Sequence, residues 1–235
     1  MDISVVIPAY QEKENLEVLL PRLISVLGGL GVQYEVLVVD ALEKMDDTDD
    51  VCRRNQVTYL NRINGNSYGD AIRTGIQCSR GAKVLVMDAD GSHEPESIPE
   101  MYSYAAKYDL VIGSRYIKNG RTENNFILIL MSLMVNIMYR LFLNLKVKDV
   151  SNSFRLYDGE KLRSIKTVCS HFDLVEEILI KLSLCYPKLT VKEVPIEFKK
   201  RLYGKSKRDL VKFVLSYLVT MRRLMKIKNS YRKNN

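Results

Sequence analysis

Tryptophan is absent from the 235 residues, histidine occurs twice and cysteine four times. Cys52, Cys78, Cys169 and Cys185 are scattered, without a CxxC pair. That spacing argues against a thiolate metal centre or a disulfide framework and fits reduced thiols in a cytosolic protein. The N-terminus, MDISVVIPAYQEKEN, has no basic n-region and meets acids early, so it does not read as a secretory signal. Internal repeats and low-complexity linkers are missing too. Hydrophobic residues make up 46% and charged residues 27%, a balance that excludes disorder and allows one large core.

Charge is unevenly placed. From Lys199 to Asn235 thirteen Lys and Arg face Asp209 alone, a formal +12; the total is +8, which leaves −4 for residues 1–198. A basic tail on a mildly acidic body suits an anionic partner such as phosphates or an anionic membrane face. Its bland reading is a solubilising tail. No nucleic-acid-binding motif accompanies the charge, so nucleic acid is set aside.

Short apolar runs at 3–10, 34–40, 57–62, 82–88 and 109–115 read as strands. Between them, Leu16, Leu19, Leu20, Leu23, Ile24 and Leu27 keep helical spacing, stopped by Gly28-Gly29, and helices are expected near 46–55 and 70–79. The alternation predicts an α/β fold with a mostly parallel sheet flanked by helices. In such sheets ligands bind beyond the carboxyl ends of the strands, where Tyr10, Asp40, Asp88 and Arg115 fall.

The stretch 126–145 is long enough to span ~30 Å of hydrocarbon at ~1.5 Å per residue. Ser132, Asn136, Arg140 and Asn144 nevertheless put a polar stripe on it. That favours a helix lying in a membrane interface, or packed on the domain, over a spanning one. Residues 210–221 followed by RRLMKIK read as a second amphipathic helix with a basic end.

The segment VLVMDADGSHEPE (84–96) carries the sharpest chemical signal. Asp88 and Asp90 stand one residue apart just past a buried strand, which is costly unless a cation or protons neutralise them. Hard oxygen donors suit Mg²⁺ or Mn²⁺, ions that also bind substrate phosphates, with Ser92 or His93 placed to complete the set. The alternative is a turn whose Asp caps the next helix.

Taken together, VVIPAYQEKEN (5–15), VMDADGSHEPESIP (86–99), VIGSRY (111–116), SFRLY (153–157), EVPIEF (193–198) and RLYGKSK (201–207) resemble glycosyltransferase family 2, of the GT-A (Rossmann-like) fold, and within it the dolichol-phosphate or polyprenyl-phosphate mannosyltransferases. The resemblance runs from about Ile3 to Lys207, and divides the chain into a GT-A domain, 1–207, and a basic amphipathic tail, 208–235. It implies nucleotide binding by Pro8, Tyr10, Glu12 and Asp40. Asp88, Asp90 and Ser92 fall where the divalent metal and donor diphosphate bind, Ser92 replacing the usual Gln. Arg115 falls where the acceptor phosphate binds, and Arg155 and Glu177 on the acceptor side. Arg201 and Lys207 fall on the loop that closes over the donor. Asp90, Arg115 and Arg201 are thereby the expected catalytic residues. Departures are Ala41 for a second acid, Leu128 near a second arginine, with Lys118 or Arg121 close by, and Asn152 for a glycine.

The implied reaction is inverting transfer of a hexose, mannose favoured, from GDP-mannose or a UDP-hexose to a polyprenyl phosphate, peripheral on the cytoplasmic face of a membrane. A phosphate acceptor is already an anion and needs no general base, whereas a sugar hydroxyl does. Asp173, Glu176 and Glu177 are the base candidates for a second reading, extension of a glycan or glycolipid hydroxyl. A third reading is a catalytically weakened, membrane-bound relative.

Overall fold

The computed structural model describes residues 1–143, 145–204 and 210–234, without the side chains of 127, 142, 143, 210–218 and 232–234. A seven-stranded sheet forms the centre. Its strands are β1 (Ile3–Pro8), β2 (Tyr34–Asp40), β3 (Thr58–Asn61), β4 (Lys83–Val86), β5 (Leu110–Ser114), β7 (Arg155–Asp158) and β8 (Val191–Pro195), in the order β3-β2-β1-β4-β7-β5-β8. β6 (Arg121–Thr122) and β9 (Glu197–Phe198) pair separately. Every residue of β1 is buried, as a parallel strand covered on both faces requires.

The α/β reading holds, and the five expected strands are present. Two were missed. β7 runs antiparallel between β4 and β5, and β8 lies parallel to β5. The sheet changes direction of growth between β1 and β4, so the ends of those strands open a crevice.

Helix α1 (Lys13–Gly29) buries Leu16, Leu19, Leu20, Leu23 and Leu27. It runs through Gly28 and Gly29 and turns at Gly31, whose φ of +66° suits a residue without Cβ. α2 (Thr48–Arg54) and α3 (Tyr68–Cys78) follow β2 and β3; Ser67 and Asp70 cap α3 reciprocally. α4 (Ile98–Ser103) follows the aspartate loop, and α6 (Gly159–Ser164) and α7 (Asp173–Cys185) follow β7. One apolar cluster lies on each sheet face, around Leu20 and Ile7 on one and Ile72 and Leu179 on the other.

The long apolar stretch forms α5 (Phe126–Leu143). Its polar stripe does not all face water. Asn136 is buried and its Oδ1 accepts from the Val150 amide at 2.8 Å, with Tyr139 buried beside it on the same face. The outer face instead presents Phe126, Leu130, Met134, Ile137 and Leu141, all large, apolar and 49–77% exposed. Their spacing of three and four residues makes one continuous stripe. α8 (Leu210–Asn234) packs on α7 and α5, burying Met221 and Leu224. Among the described residues no helix is long and apolar enough to cross a membrane.

Candidate active site

The end of β1 starts one wall. After Pro8 the chain turns sharply through Gln11, at φ +56°, into α1. Tyr10 is exposed at this turn, and the Arg62 guanidinium lies 5.4 Å from its ring centroid. Arg62 also donates to the Ala9 carbonyl from a buried position. Asp40 closes β2 and is 1% exposed. Tyr59 donates to its Oδ2 at 3.3 Å, whereas Oδ1 is buried with no hydrogen-bond partner among the described residues. Burial raises the Asp40 pKa above its ordinary value. An orphaned acceptor at the mouth of a crevice suits a donor group of a ligand, such as a base N–H or a ribose hydroxyl.

The opposite wall is the loop after β4. The Asp88 amide donates to His93 Nδ1 at 3.0 Å, so the ring proton sits on Nε2 and donates to Asn152 Oδ1 at 3.0 Å. His93 is fully buried, stacked on Phe154 at 4.8 Å with Phe198 at its edge. Both ring nitrogens are therefore engaged; His93 shapes the loop and is neither a metal ligand nor a base. Ser153 Oγ lies 3.0 and 3.1 Å from the two Asp88 carboxylate oxygens. Ser92 donates to Asp90 Oδ1 from its amide at 3.1 Å and its hydroxyl at 2.6 Å. Gly91, at φ +77°, lies under Leu202; a Cβ there would stand 2.5 Å from Leu202 Cδ1. Sequence reasoning missed Ser153, Arg62 and the role of Asn152. Ser153 opens the SFRLY block, but nothing in the block's sequence showed that it would meet Asp88.

Among the described residues no three His, Cys, Asp or Glu side chains form a cluster that could hold a metal unaided. Asp88 and Asp90, 19% and 24% exposed at their side chains, are hard oxygen donors open to the crevice. They fit a Mg²⁺ or Mn²⁺ ion that draws its remaining ligands from water and a diphosphate. Ser92, the third expected ligand, is committed to Asp90 in this state.

Segment 199–203 covers this wall. Arg201 forms an ion pair with Glu12 and approaches Asp90 Oδ2 at 3.5 Å. Glu12 also accepts from Asn15 Nδ2 at 2.6 Å. Burial raises the Glu12 pKa more than Arg201 and Asn15 lower it. Pro8, Tyr10, Glu12, Asp40, Asp88, Asp90, Ser92 and Arg201 are thus placed at one crevice; Lys207 lies outside the described residues.

Arg115 lies past the end of β5 with its guanidinium held by Asp149, Nε and Nη2 each at 2.8 Å, and by Ser151 at 3.0 Å. Its Cζ stands 5.0 Å from the Tyr116 ring and 5.3 Å from the Phe198 ring. Arg155 and Glu177 are not brought to the crevice. Arg155 is 0% exposed and donates to the carbonyls of Asn152, Val175 and Val150. Glu177 is also fully buried and accepts from the Val168 and Cys169 amides and from Lys181. Burial pushes the Glu177 pKa up, but Lys181 and the two amides outweigh it and hold it below the ordinary value. Both residues are internal braces.

Comparison with known proteins bears on the family and the fold. The family model for glycosyl transferase family 2 matches residues 4–166. The chain is 34% identical over 239 aligned positions to a dolichol-phosphate mannosyltransferase of Pyrococcus furiosus, covering 96% of this chain and 64% of that protein. It is 32% identical to an undecaprenyl-phosphate mannosyltransferase of Micrococcus luteus, over 88% of this chain and 87% of the relative. A polyprenol monophosphomannose synthase of Mycolicibacterium smegmatis is 31% identical, over 86% and 79%. Among solved structures, glucosyl-3-phosphoglycerate synthase of Mycobacterium tuberculosis with phosphoglyceric acid superposes with a TM-score of 0.74 at 17% identity, over 96% of this chain and 80% of that one. The same enzyme with Mn²⁺, UDP and phosphoglyceric acid gives 0.71 at 17%, over 95% and 78%. These two show the fold, the GT-A arrangement. By the family match and the length of these alignments, the chain belongs to glycosyl transferase family 2.

Proposed function

We propose that this protein transfers a hexose, mannose by the names of its relatives, from a nucleotide sugar to a polyprenyl phosphate, in a metal-dependent reaction on the cytoplasmic face of a membrane. The observation that carries the choice of acceptor is the state of the three carboxylates a hydroxyl acceptor would need as a base. Glu177 is fastened by two amides and Lys181. Glu176 is buried. Asp173 accepts from the His171 amide at 3.0 Å and pairs with Arg223 at 3.2 Å. A phosphate oxygen needs no such base; it needs cations to position it.

In this reading the crevice binds the nucleotide between the Pro8–Glu12 turn and Asp40, whose Oδ1, without a hydrogen-bond partner among the described residues, accepts from it. Asp88, steadied by Ser153, and Asp90 hold the divalent ion. When bound, that ion supplies positive charge to the departing diphosphate. Arg201 and Lys207 add cationic charge on the leaving-group side. Arg115, oriented by Asp149, faces the acceptor phosphate. The nucleophile attacks the anomeric carbon opposite the departing diphosphate, so configuration inverts.

The outward stripe of α5 supports the membrane contact. Five exposed apolar side chains on one helix face gain little in water and bury readily at the headgroup boundary. The basic tail adds attraction to an anionic leaflet. Replacing Leu130, Met134 and Ile137 together by Ser is expected to reduce co-sedimentation with phosphatidylglycerol-containing vesicles by about tenfold or more, from roughly 1.5–3 kcal/mol per fully buried side chain. Unchanged sedimentation would remove α5 from the interface.

The defining experiment incubates the protein with Mn²⁺, a short polyprenyl phosphate and each radiolabelled nucleotide sugar in turn. Label is expected to enter the lipid phase with one donor and to stay in the aqueous phase after chelation. Donor binding without lipid labelling would move the assignment to a hydroxyl acceptor. Absence of metal-dependent donor binding would mark a weakened relative.

A further inference from the structure

The contacts of Arg201 join parts of the chain that are far apart in sequence. Its guanidinium pairs with Glu12 through Nη2, reaches Asp90 Oδ2 at 3.5 Å through Nη1, and donates from Nε to the Tyr203 carbonyl at 2.6 Å. The backbone beside it is sewn down as well. The Lys199 amide donates to the Ser92 carbonyl and the Leu202 amide to the Asp90 carbonyl, each at 3.0 Å. The Tyr203 amide donates to Asn15 Oδ1 at 2.9 Å, and Asn15 in turn holds Glu12. Leu202 lies over Gly91, between the two halves of the aspartate loop.

One guanidinium between the Glu12 and Asp90 carboxylates offsets one of their two negative charges without any metal. Arg201 is the cation that does so here. A divalent ion on Asp90 would compete for the carboxylate that Arg201 contacts, and would repel the guanidinium from a distance of a few ångströms. We propose that Arg201 is the resting counter-ion of the metal site: Glu12 parks it against Asp90, and arrival of the divalent ion displaces it, freeing segment 199–203 and turning the guanidinium toward the donor diphosphate. Glu12 is then a positioning residue for Arg201. The coupling runs both ways, since whatever loosens Arg201 tightens metal binding and metal binding loosens the segment. This inference rests on Asp88 and Asp90 being the metal ligands of the reading above.

The test uses Mn²⁺ alone, without nucleotide or lipid, so that catalysis plays no part. Free Mn²⁺ is followed by its electron paramagnetic resonance signal during titration of the wild type, Arg201→Gln, Arg201→Lys and Asp90→Asn, each confirmed as folded by its melting transition. Arg201→Gln and Arg201→Lys are both expected to bind Mn²⁺ at least about threefold tighter than wild type, because neither bridges the two carboxylates as the guanidinium fork does. Asp90→Asn should lose the site. In the wild type, saturating Mn²⁺ should speed amide hydrogen exchange across 199–203 by about fivefold or more, through release of the Leu202 and Tyr203 amides. If Arg201→Lys matches wild type, or exchange across the segment is unmoved, Arg201 contributes only diffuse charge and the proposal is overturned. If neither the wild type nor either Arg201 variant binds Mn²⁺, the metal-dependent reading falls with it; if only Asp90→Asn differs from wild type, that reading stands and the counter-ion role alone is lost.

Discussion

Asp90→Asn is expected to lower lipid-linked transfer by about three orders of magnitude or more, since withdrawing a ligand removes several kcal/mol of charge stabilisation and each decade of rate is ~1.4 kcal/mol. The substitution keeps the shape of the loop. An Asn Oδ1 still accepts the Ser92 amide and hydroxyl, and the Leu202 amide still meets the Asp90 backbone carbonyl. Its melting temperature should therefore stay within about 4 °C of wild type, the shift for ~1 kcal/mol in a domain of this size. Ser153→Ala acts one bond further out. It removes the hydroxyl that meets both oxygens of Asp88 without touching the charge, and about a tenfold loss is expected, the scale of an outer-shell partner. Steady-state transfer at saturating donor, with Mn²⁺ varied, separates the two. Asp90→Asn should be beyond rescue by metal, while Ser153→Ala should recover most of its rate at high Mn²⁺. Equal rates for Asp90→Asn and wild type would show that the aspartate pair is a structural turn.

The parallel part of this sheet was open to reading because its strands are buried on both faces and so appear as unbroken apolar runs. β7 escaped because Arg155–Asp158 carries charge at both ends, and its place between β4 and β5 depends on a return of the chain after α5. The aspartate motif was legible as chemistry, but the groups that hold it were not. His93 stood out as a candidate to complete the metal-ligand set of two acids. Its burial against Phe154 and its bond to Asn152 arise from contacts 61 and 59 residues away along the chain. Arg115 and Asp149 are separated by 34 residues, and Arg201 and Glu12 by 189. Charged residues announce themselves in a sequence, but which carboxylate each meets is decided by tertiary packing. The same holds for α5. Its four-residue polar spacing is real, yet packing turned Asn136 inward to hold the Val150 amide and left the apolar stripe outside.

Arg155 shows the same separation between residue type and role, and leads to the second large effect. It has three carbonyl partners and no opening to solvent, so it braces the Val150–Asn152 loop against α7. Glu176 lies in that interior too, 2% exposed, with Oε2 lacking a hydrogen-bond partner among the described residues. Burial raises its pKa from 4.5 to about 8, with Arg155 opposing the rise. A carboxyl raised in the folded state keeps its proton there after the unfolded chain has lost it. The stability from this group is therefore complete below pH about 4.5 and declines as pH rises to about 8, above which it is lost. The span corresponds to on the order of 5 kcal/mol. Glu176→Gln keeps the neutral shape at every pH. Urea unfolding at pH 5.5 and 8.5 is expected to show the variant ahead of wild type by about 1 kcal/mol at the lower pH and by a few kcal/mol more at the higher. Arg155→Met goes the other way. It strands three buried carbonyls and should cost about 3–5 kcal/mol at either pH. Parallel pH curves for Glu176→Gln and wild type would mean that the wild-type carboxylate is ionised and paired inside the fold; only then would Glu176 return as a base for a hydroxyl acceptor.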